Sequence, residues 1–182
     1  MPVRLYIDSN VLIFYYITKF DVRFSTICRE FLKKVESGKY EGVVSLLGLM
    51  ELVKQIRELL VKSGTYDPSD WQASIRKAIE GIYSIKNVKI VEGSQNERRP
   101  FGMVSELSHS EIAWESFDII TKYHGKIKEG KNGLEHDGIH PVDALHVALA
   151  KRMGCTMIAT FDRDFRETAP EVQSLLLQDD AF

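Results

Sequence analysis

The chain has 182 residues, with 24 Lys plus Arg against 26 Asp plus Glu and a formal net charge of −2. Its residues are 44% hydrophobic and 27% charged, the balance of one globular domain of ordinary size. No overall basic field exists of the kind that coats nucleic acid, so a nucleic-acid substrate requires a local basic patch. Cys28 and Cys155 stand far apart and read as small hydrophobes, which fits a reducing, cytoplasmic setting. Residues 5–17 are largely apolar, but Asp8 and Asn10 interrupt them and no small-residue cleavage site follows, which makes a poor signal peptide. No stretch approaches about 18 uninterrupted apolar residues, so no membrane span is expected.

In chain order, residues 3–7 read as a short buried strand. Ser9 or Asn10 is placed to cap a helix over 11–18. Ile27, Phe31, Leu32 and Val35 give helical spacing over 24–36, and Gly38 stops that helix. Residues 42–45 form a second strand and 47–61 a helix with Glu51 in its early turns. The run Asp67-Pro68-Ser69-Asp70 precedes a helix over 71–83, and 88–91 is a third strand. Residues 92–101 are polar and read as a loop. A helix runs from Ser108 or His109 to about His124, and 126–140 reads as a mobile loop rich in Gly and Lys. Pro141 sits in the first turn of a helix that ends before Gly154. Residues 155–159 form a fourth strand and 173–177 a fifth. Strands alternating with helices predict a parallel sheet in one α/β domain, with helices on both faces. In such sheets ligands gather beyond the carboxyl ends of the strands, at the switch point in strand order.

Four carboxylates stand at element ends in this reading. Asp8 closes the first strand, Glu51 lies early in an apolar helix, Asp143 follows Pro141 by two residues, and Asp162 follows the fourth strand. Each has an ordinary explanation: Asp8 and Asp143 as acids at helix starts, Glu51 as a solvated helix residue, Asp162 as a turn residue. Glu51 fits its explanation least, because Leu47, Leu49, Met50, Leu52 and Val53 surround it, and an acid there needs a partner or a cation. One chemistry accounts for all four. Unit charges about 4 Å apart repel by about 4 kcal/mol even at an effective dielectric of about 20, unless a cation sits between them. Hard divalent ions such as Mg²⁺ or Mn²⁺ take such oxygen ligands, acidify water and stabilise a leaving oxygen in phosphodiester displacement. No paired Cys or Cys/His motif at zinc spacing is present.

Read together, these stretches resemble the PIN domain, a family of metal-dependent ribonucleases that includes VapC-type toxins of toxin–antitoxin pairs. The resemblance is carried by Tyr6-Ile7-Asp8-Ser9-Asn10-Val11-Leu12-Ile13 and by Ser45 with Glu51. It continues in the run from Pro141 through Asp143 and His146 to Ala150, and in Ala159-Thr160-Phe161-Asp162-Arg163-Asp164-Phe165. It implies a three-layer α/β/α sandwich around a central parallel sheet. It also implies a catalytic, metal-binding quartet of Asp8, Glu51, Asp143 and Asp162, loaded with Mg²⁺ or Mn²⁺. Ser9, Asn10 and Thr160 fall where the family places polar support, and Asp164 either joins the metal shell or caps the following turn. The implied activity is cleavage of single-stranded or structured RNA, with an antitoxin protein and a homodimer as further partners. The chain is longer than the compact toxins, with the surplus around 71–83, Arg98-Arg99 and 126–140.

Arg98, Arg99, Lys126 and Lys128 offer the local basic patch that RNA phosphates require, although Glu129, Glu135 and Asp137 dilute it. Tyr66, Trp71 and Tyr83 read as core aromatics. His146, one turn after Asp143, reads as a helix residue, and His140 as a residue that opens the helix. Two rival functions follow from the same residues. A haloacid-dehalogenase-type phosphatase also starts from an aspartate after the first strand, but it wants a second aspartate where Asn10 stands. A non-catalytic PIN-like module that binds RNA or protein typically lacks one of the acids, and all four are present.

Overall fold

The computed structural model describes residues 2–17, 22–64, 67–91, 109–123, 127–129, 135–137, 139–168 and 171–178. The elements are β1 (Val3–Ile7), α1 (Ser9–Tyr16), α2 (Val22–Glu36), β2 (Tyr40–Ser45), α3 (Leu46–Lys62), α4 (Pro68–Ser84) and β3 (Val88–Val91). They continue with α5 (His109–Lys122), β4 (Ile127–Glu129), β5 (Glu135–Asp137), α6 (Pro141–Arg152), β6 (Met157–Thr160), a 3₁₀ turn (Arg163–Thr168) and β7 (Gln173–Leu176).

Five strands form one sheet in the order β3-β2-β1-β6-β7, and every neighbouring pair is parallel. The chain builds outward from β1 to β3, then returns to the other side of β1 with β6. The switch point therefore lies between β1 and β6, beyond whose carboxyl ends Asp8 and Asp162 follow. Strand alternation sends neighbouring side chains to opposite faces. Leu5, Ile7, Val44 and Ala159 join the core with residues of α1 to α4. Tyr6, Val43 and Ile158 join a second core with residues of α5 and α6. Leu5, Tyr6 and Ile7 have no exposed surface, as expected of the middle strand of a doubly covered parallel sheet. The expected α/β/α sandwich is the fold observed. No helix among the described residues is long and apolar enough to cross a membrane.

Several expectations are corrected. Asp8, not Ser9 or Asn10, caps α1, because its side chain accepts from the Ser9 N–H. Asp67 caps α4, which starts three residues earlier than 71 because Pro68 takes the first turn. Part of the stretch read as a mobile loop over 126–140 is a two-stranded antiparallel ribbon, β4 with β5, held by backbone pairing that leaves no side-chain pattern to read. Tyr83 is not a core aromatic: it is 58% exposed. Trp71 is partly exposed, with the Arg57 guanidinium 5.7 Å from its ring centre, and Tyr66 lies outside the described residues. Gly38 ends α2 at φ +83° and Gly154 ends α6 at φ +68°, as expected. Cys28 and Cys155 are buried free thiols, and burial pushes each up to about 12.

Candidate metal centre

Asp8 reaches the site because β1 ends there and α1 begins. Its carboxylate is 4% exposed. Oδ1 accepts from the Ser9 N–H at 2.7 Å, and Oδ2 accepts from the Thr160 hydroxyl at 2.7 Å. Burial raises its pKa, while His146, Thr160 and Ser9 oppose that rise. Thr160, at the end of β6, also accepts from Asn10 Nδ2 at 3.0 Å and from the Asp162 N–H at 2.9 Å. Asn10 Oδ1 in turn accepts from the Phe161 N–H at 3.3 Å. Asn10 thus braces β6 against α1 with both ends of its amide.

Glu51 enters from α3, whose start is fixed by Ser45: the Ser45 hydroxyl accepts from the Gly48 N–H at 3.1 Å. Its side chain is 29% exposed and meets His146 Nε2 at 2.9 Å. Burial opposes its ionisation, but hydrogen bonds from His146 and Ser9 outweigh that and hold the carboxyl below its usual range. The partner that its apolar neighbours demanded is therefore a histidine.

His146 is the residue that sequence reasoning missed. It is 1% exposed on α6, with Nε2 on Glu51 and 3.9 Å from Asp8 Oδ1. Its other ring nitrogen, Nδ1, lies 2.7 Å from the Tyr6 hydroxyl, which lies 2.5 Å from Ser45 Oγ. Burial disfavours the charged ring, but the Glu51 hydrogen bond and the charges of Asp8, Glu51 and Asp143 raise its pKa overall. Its spacing of three residues from Asp143, on one helix face, was the available signal.

Asp143 stands in the first turn of α6 behind His140, whose Nδ1 accepts from the Val142 N–H at 3.3 Å, the helix-opening role expected. Burial, then the charges of Asp162 and Asp8, push the Asp143 carboxyl up to about 7. Asp162 Oδ1 accepts from the Asp164 N–H at 2.9 Å, so Asp162 rather than Asp164 caps the 3₁₀ turn. Asp164 is exposed, and its charge also acts on Asp143.

One ligand atom each from Asp8, Glu51 and His146 lie within 4.8 Å of one another. Asp143 and Asp162 stand outside that tight trio; the charge of Asp143 acts on His146, and that of Asp162 acts on Asp143. A buried carboxylate, a second acid beside it and a third pushed up to about 7 by burial and by its acidic neighbours form a cluster that suits a hard divalent cation. Arg98, Arg99 and Lys126 lie outside the described residues. Lys128 is placed only as a backbone position in β4.

A sequence model of the PIN domain matches residues 5–170. The chain belongs to the PIN domain family. This membership answers the phosphatase alternative, and the bonds of Asn10 show why that position needs an amide rather than a second aspartate. No curated protein matches the chain in sequence. Among solved structures, the fold is similar to a chain in the crystal structure of VapBC2 from Rickettsia felis bound to a DNA fragment from their promoter. The TM-score is 0.54 at 12% identity, over 95% of this chain and 98% of that one. This PIN domain therefore keeps that fold at a sequence distance where little beyond the fold is shared.

Proposed function

We propose that this PIN domain is a metal-dependent endoribonuclease that hydrolyses RNA phosphodiester bonds in the cytoplasm, and that it acts as a VapC-type toxin restrained by a separate antitoxin. The carrying observation is the meeting of β1, α3, α6 and β6 at the switch point. β1, α3 and α6 bring Asp8, Glu51 and Asp143 to that side, Asp162 follows β6, and burial with the charges of Asp162 and Asp8 pushes the Asp143 carboxyl up to about 7. Asp8, Glu51, Asp143 and Asp162 would hold Mg²⁺ or Mn²⁺. Such an ion supplies Lewis acidity, lowering the pKa of water and offsetting charge on phosphoryl oxygens.

The remaining work falls to the chain itself. Thr160 and Ser9 hold both oxygens of Asp8 by hydrogen bonds at 2.7 Å, so that carboxylate needs no rearrangement to bind. The same Thr160 hydroxyl accepts from the Asp162 backbone N–H, which anchors the turn that carries Asp162. The basic patch of Arg98, Arg99, Lys126 and Lys128 would carry the RNA phosphates. Likeness to a VapBC2 structure supports the toxin reading with an antitoxin as partner, and a homodimer is the assembly proposed beside it.

The test is cleavage of single-stranded RNA by purified protein with Mn²⁺. Asp8→Asn should abolish it, and excess EDTA should stop it. Cutting that survives either treatment would overturn the proposal. Absence of Mn²⁺ binding at millimolar concentration would favour a non-catalytic module instead.

A further inference from the structure

Behind Glu51 runs a file of buried groups whose hydrogen-bond direction can be worked out. Ser45 Oγ accepts from the Gly48 N–H, and its only other hydrogen-bond partner among the described residues is the Tyr6 hydroxyl. The Tyr6 hydroxyl touches Ser45 and His146 Nδ1, and His146 Nε2 touches Glu51 Oε2. A ring nitrogen 2.9 Å from a carboxylate oxygen needs a proton between them. If the proton sits on Nε2, every group in the file is satisfied in one direction: Ser45 donates to Tyr6, Tyr6 donates to Nδ1, and Nε2–H donates to Glu51. The reverse direction has Nδ1–H donating to Tyr6 and Tyr6 donating to Ser45. It leaves the Ser45 proton with no acceptor among the described residues, and a buried donor without an acceptor is costly. In the reverse tautomer it also sets a bare Nε2 lone pair against the Glu51 carboxylate.

We infer that His146 is a positioning residue: Ser45 and Tyr6 lock its tautomer, and its Nε2–H holds the Glu51 carboxylate in place. The same proton keeps Nε2 from ligating a cation, although that atom lies within the tight trio with Asp8 and Glu51. The long side chain of Glu51 needs such a hold, because an acid on a half-exposed helix face otherwise samples several rotamers. Partners behind metal-site residues orient them in the same way, and their loss typically costs about 10–100-fold in metal affinity. This inference rests on Glu51 belonging to the cation site.

The experiment is nitrogen NMR of the full chain labelled with ¹⁵N-histidine, recorded at alkaline pH with and without Mg²⁺. The His146 signals are identified by their loss in His146→Gln. The expected result is a protonated Nε2 and an unprotonated Nδ1, unchanged by Mg²⁺. A protonated Nδ1 with bare Nε2, or an Nε2 that loses its proton when Mg²⁺ is added, would overturn the relay. Calorimetry with Mn²⁺ is the second arm. Tyr6→Phe and His146→Leu should each weaken Mn²⁺ binding about tenfold, while His146→Gln, whose amide can still donate, should lose no more than about threefold. Unchanged Mn²⁺ affinity and an unchanged tautomer in Tyr6→Phe would also overturn it. The expected tautomer in a protein that binds no Mn²⁺ overturns the cation reading and the relay's use. Tight Mn²⁺ binding with the wrong tautomer overturns the relay alone.

Discussion

The Thr160 hydroxyl donates to Asp8 Oδ2 at 2.7 Å, joining two residues 152 positions apart. The same oxygen accepts from Asn10 Nδ2 and from the Asp162 N–H, so its one proton and two lone pairs are all used. A single side chain thereby fixes the ends of β1 and β6 to each other.

Thr160→Val keeps the shape and removes all three bonds. It leaves a buried carboxylate oxygen and the Asp162 N–H short of a partner, so urea unfolding should show a loss of about 2–4 kcal/mol. Thr160→Ser keeps the hydroxyl and should stay within about 1 kcal/mol of the parent. Equal losses in both variants would mean that the methyl group, not the hydroxyl, matters.

Asp143 sits where burial, Asp162 and Asp8 all oppose its charge. Asp143→Asn should therefore stabilise the protein in EDTA, raising its melting temperature by a few degrees, about 1 kcal/mol. With Mn²⁺ present the order should reverse, because the parent gains ligand binding that the variant lacks. A variant less stable than the parent in EDTA would show that the acid serves structure alone.

Gly42 lies in β2 under tight packing. An added Cβ would come within 2.7 Å of Ile7 Cδ1 and 3.2 Å of Val35 Cγ1 and Val88 Cγ2. Ile7 and Val35 belong to the core and Val88 packs against it, so Gly42→Ala should cost about 1–3 kcal/mol by overpacking. Thermal melting would reveal it, and no loss would show that the strand can shift.

On the α5–α6 side, Lys151 bridges Glu115 at 2.7 Å and Glu171 at 3.0 Å. Arg152 adds a contact to Glu115 at 2.6 Å, and Lys122 pairs with Glu171. Burial opposes ionisation of Glu115, but Lys151 and Arg152 outweigh it, and Lys122 with Lys151 lowers Glu171. Both folded acids therefore titrate below their ordinary value. The stabilisation is complete above the unfolded pKa, about 4.3, and is lost as pH falls through the folded values. Urea midpoints should drop over that acid window, and Lys151→Ala should flatten the drop while costing about 0.5–1 kcal/mol near neutrality. An identical acid profile in the variant would locate the effect elsewhere.

The alternating pattern made the parallel sandwich legible, because strands buried on both faces read as short apolar runs between amphipathic helices. Asp8 and Asp143 were legible as acids at element ends for the same reason. Three features were not. The cap of α1 was misplaced by one residue, since Asp8, Ser9 and Asn10 are all competent caps. The β4–β5 ribbon pairs three residues with three in a short antiparallel register. His146 looked like one more helix residue, and Tyr6 like one more residue of a buried strand, because what makes them a pair is a contact across 140 positions.

The residues themselves determined that three acids, Asp8, Asp143 and Asp162, stand where a strand ends or a helix begins, and that Glu51, within a helix, must find a partner among apolar neighbours. Those are local properties of periodicity and burial. Only the tertiary structure decided that the partner is His146, and that Asp8 and Thr160 share a hydrogen bond. Strand order and register set which remote atoms come within 3 Å of one another.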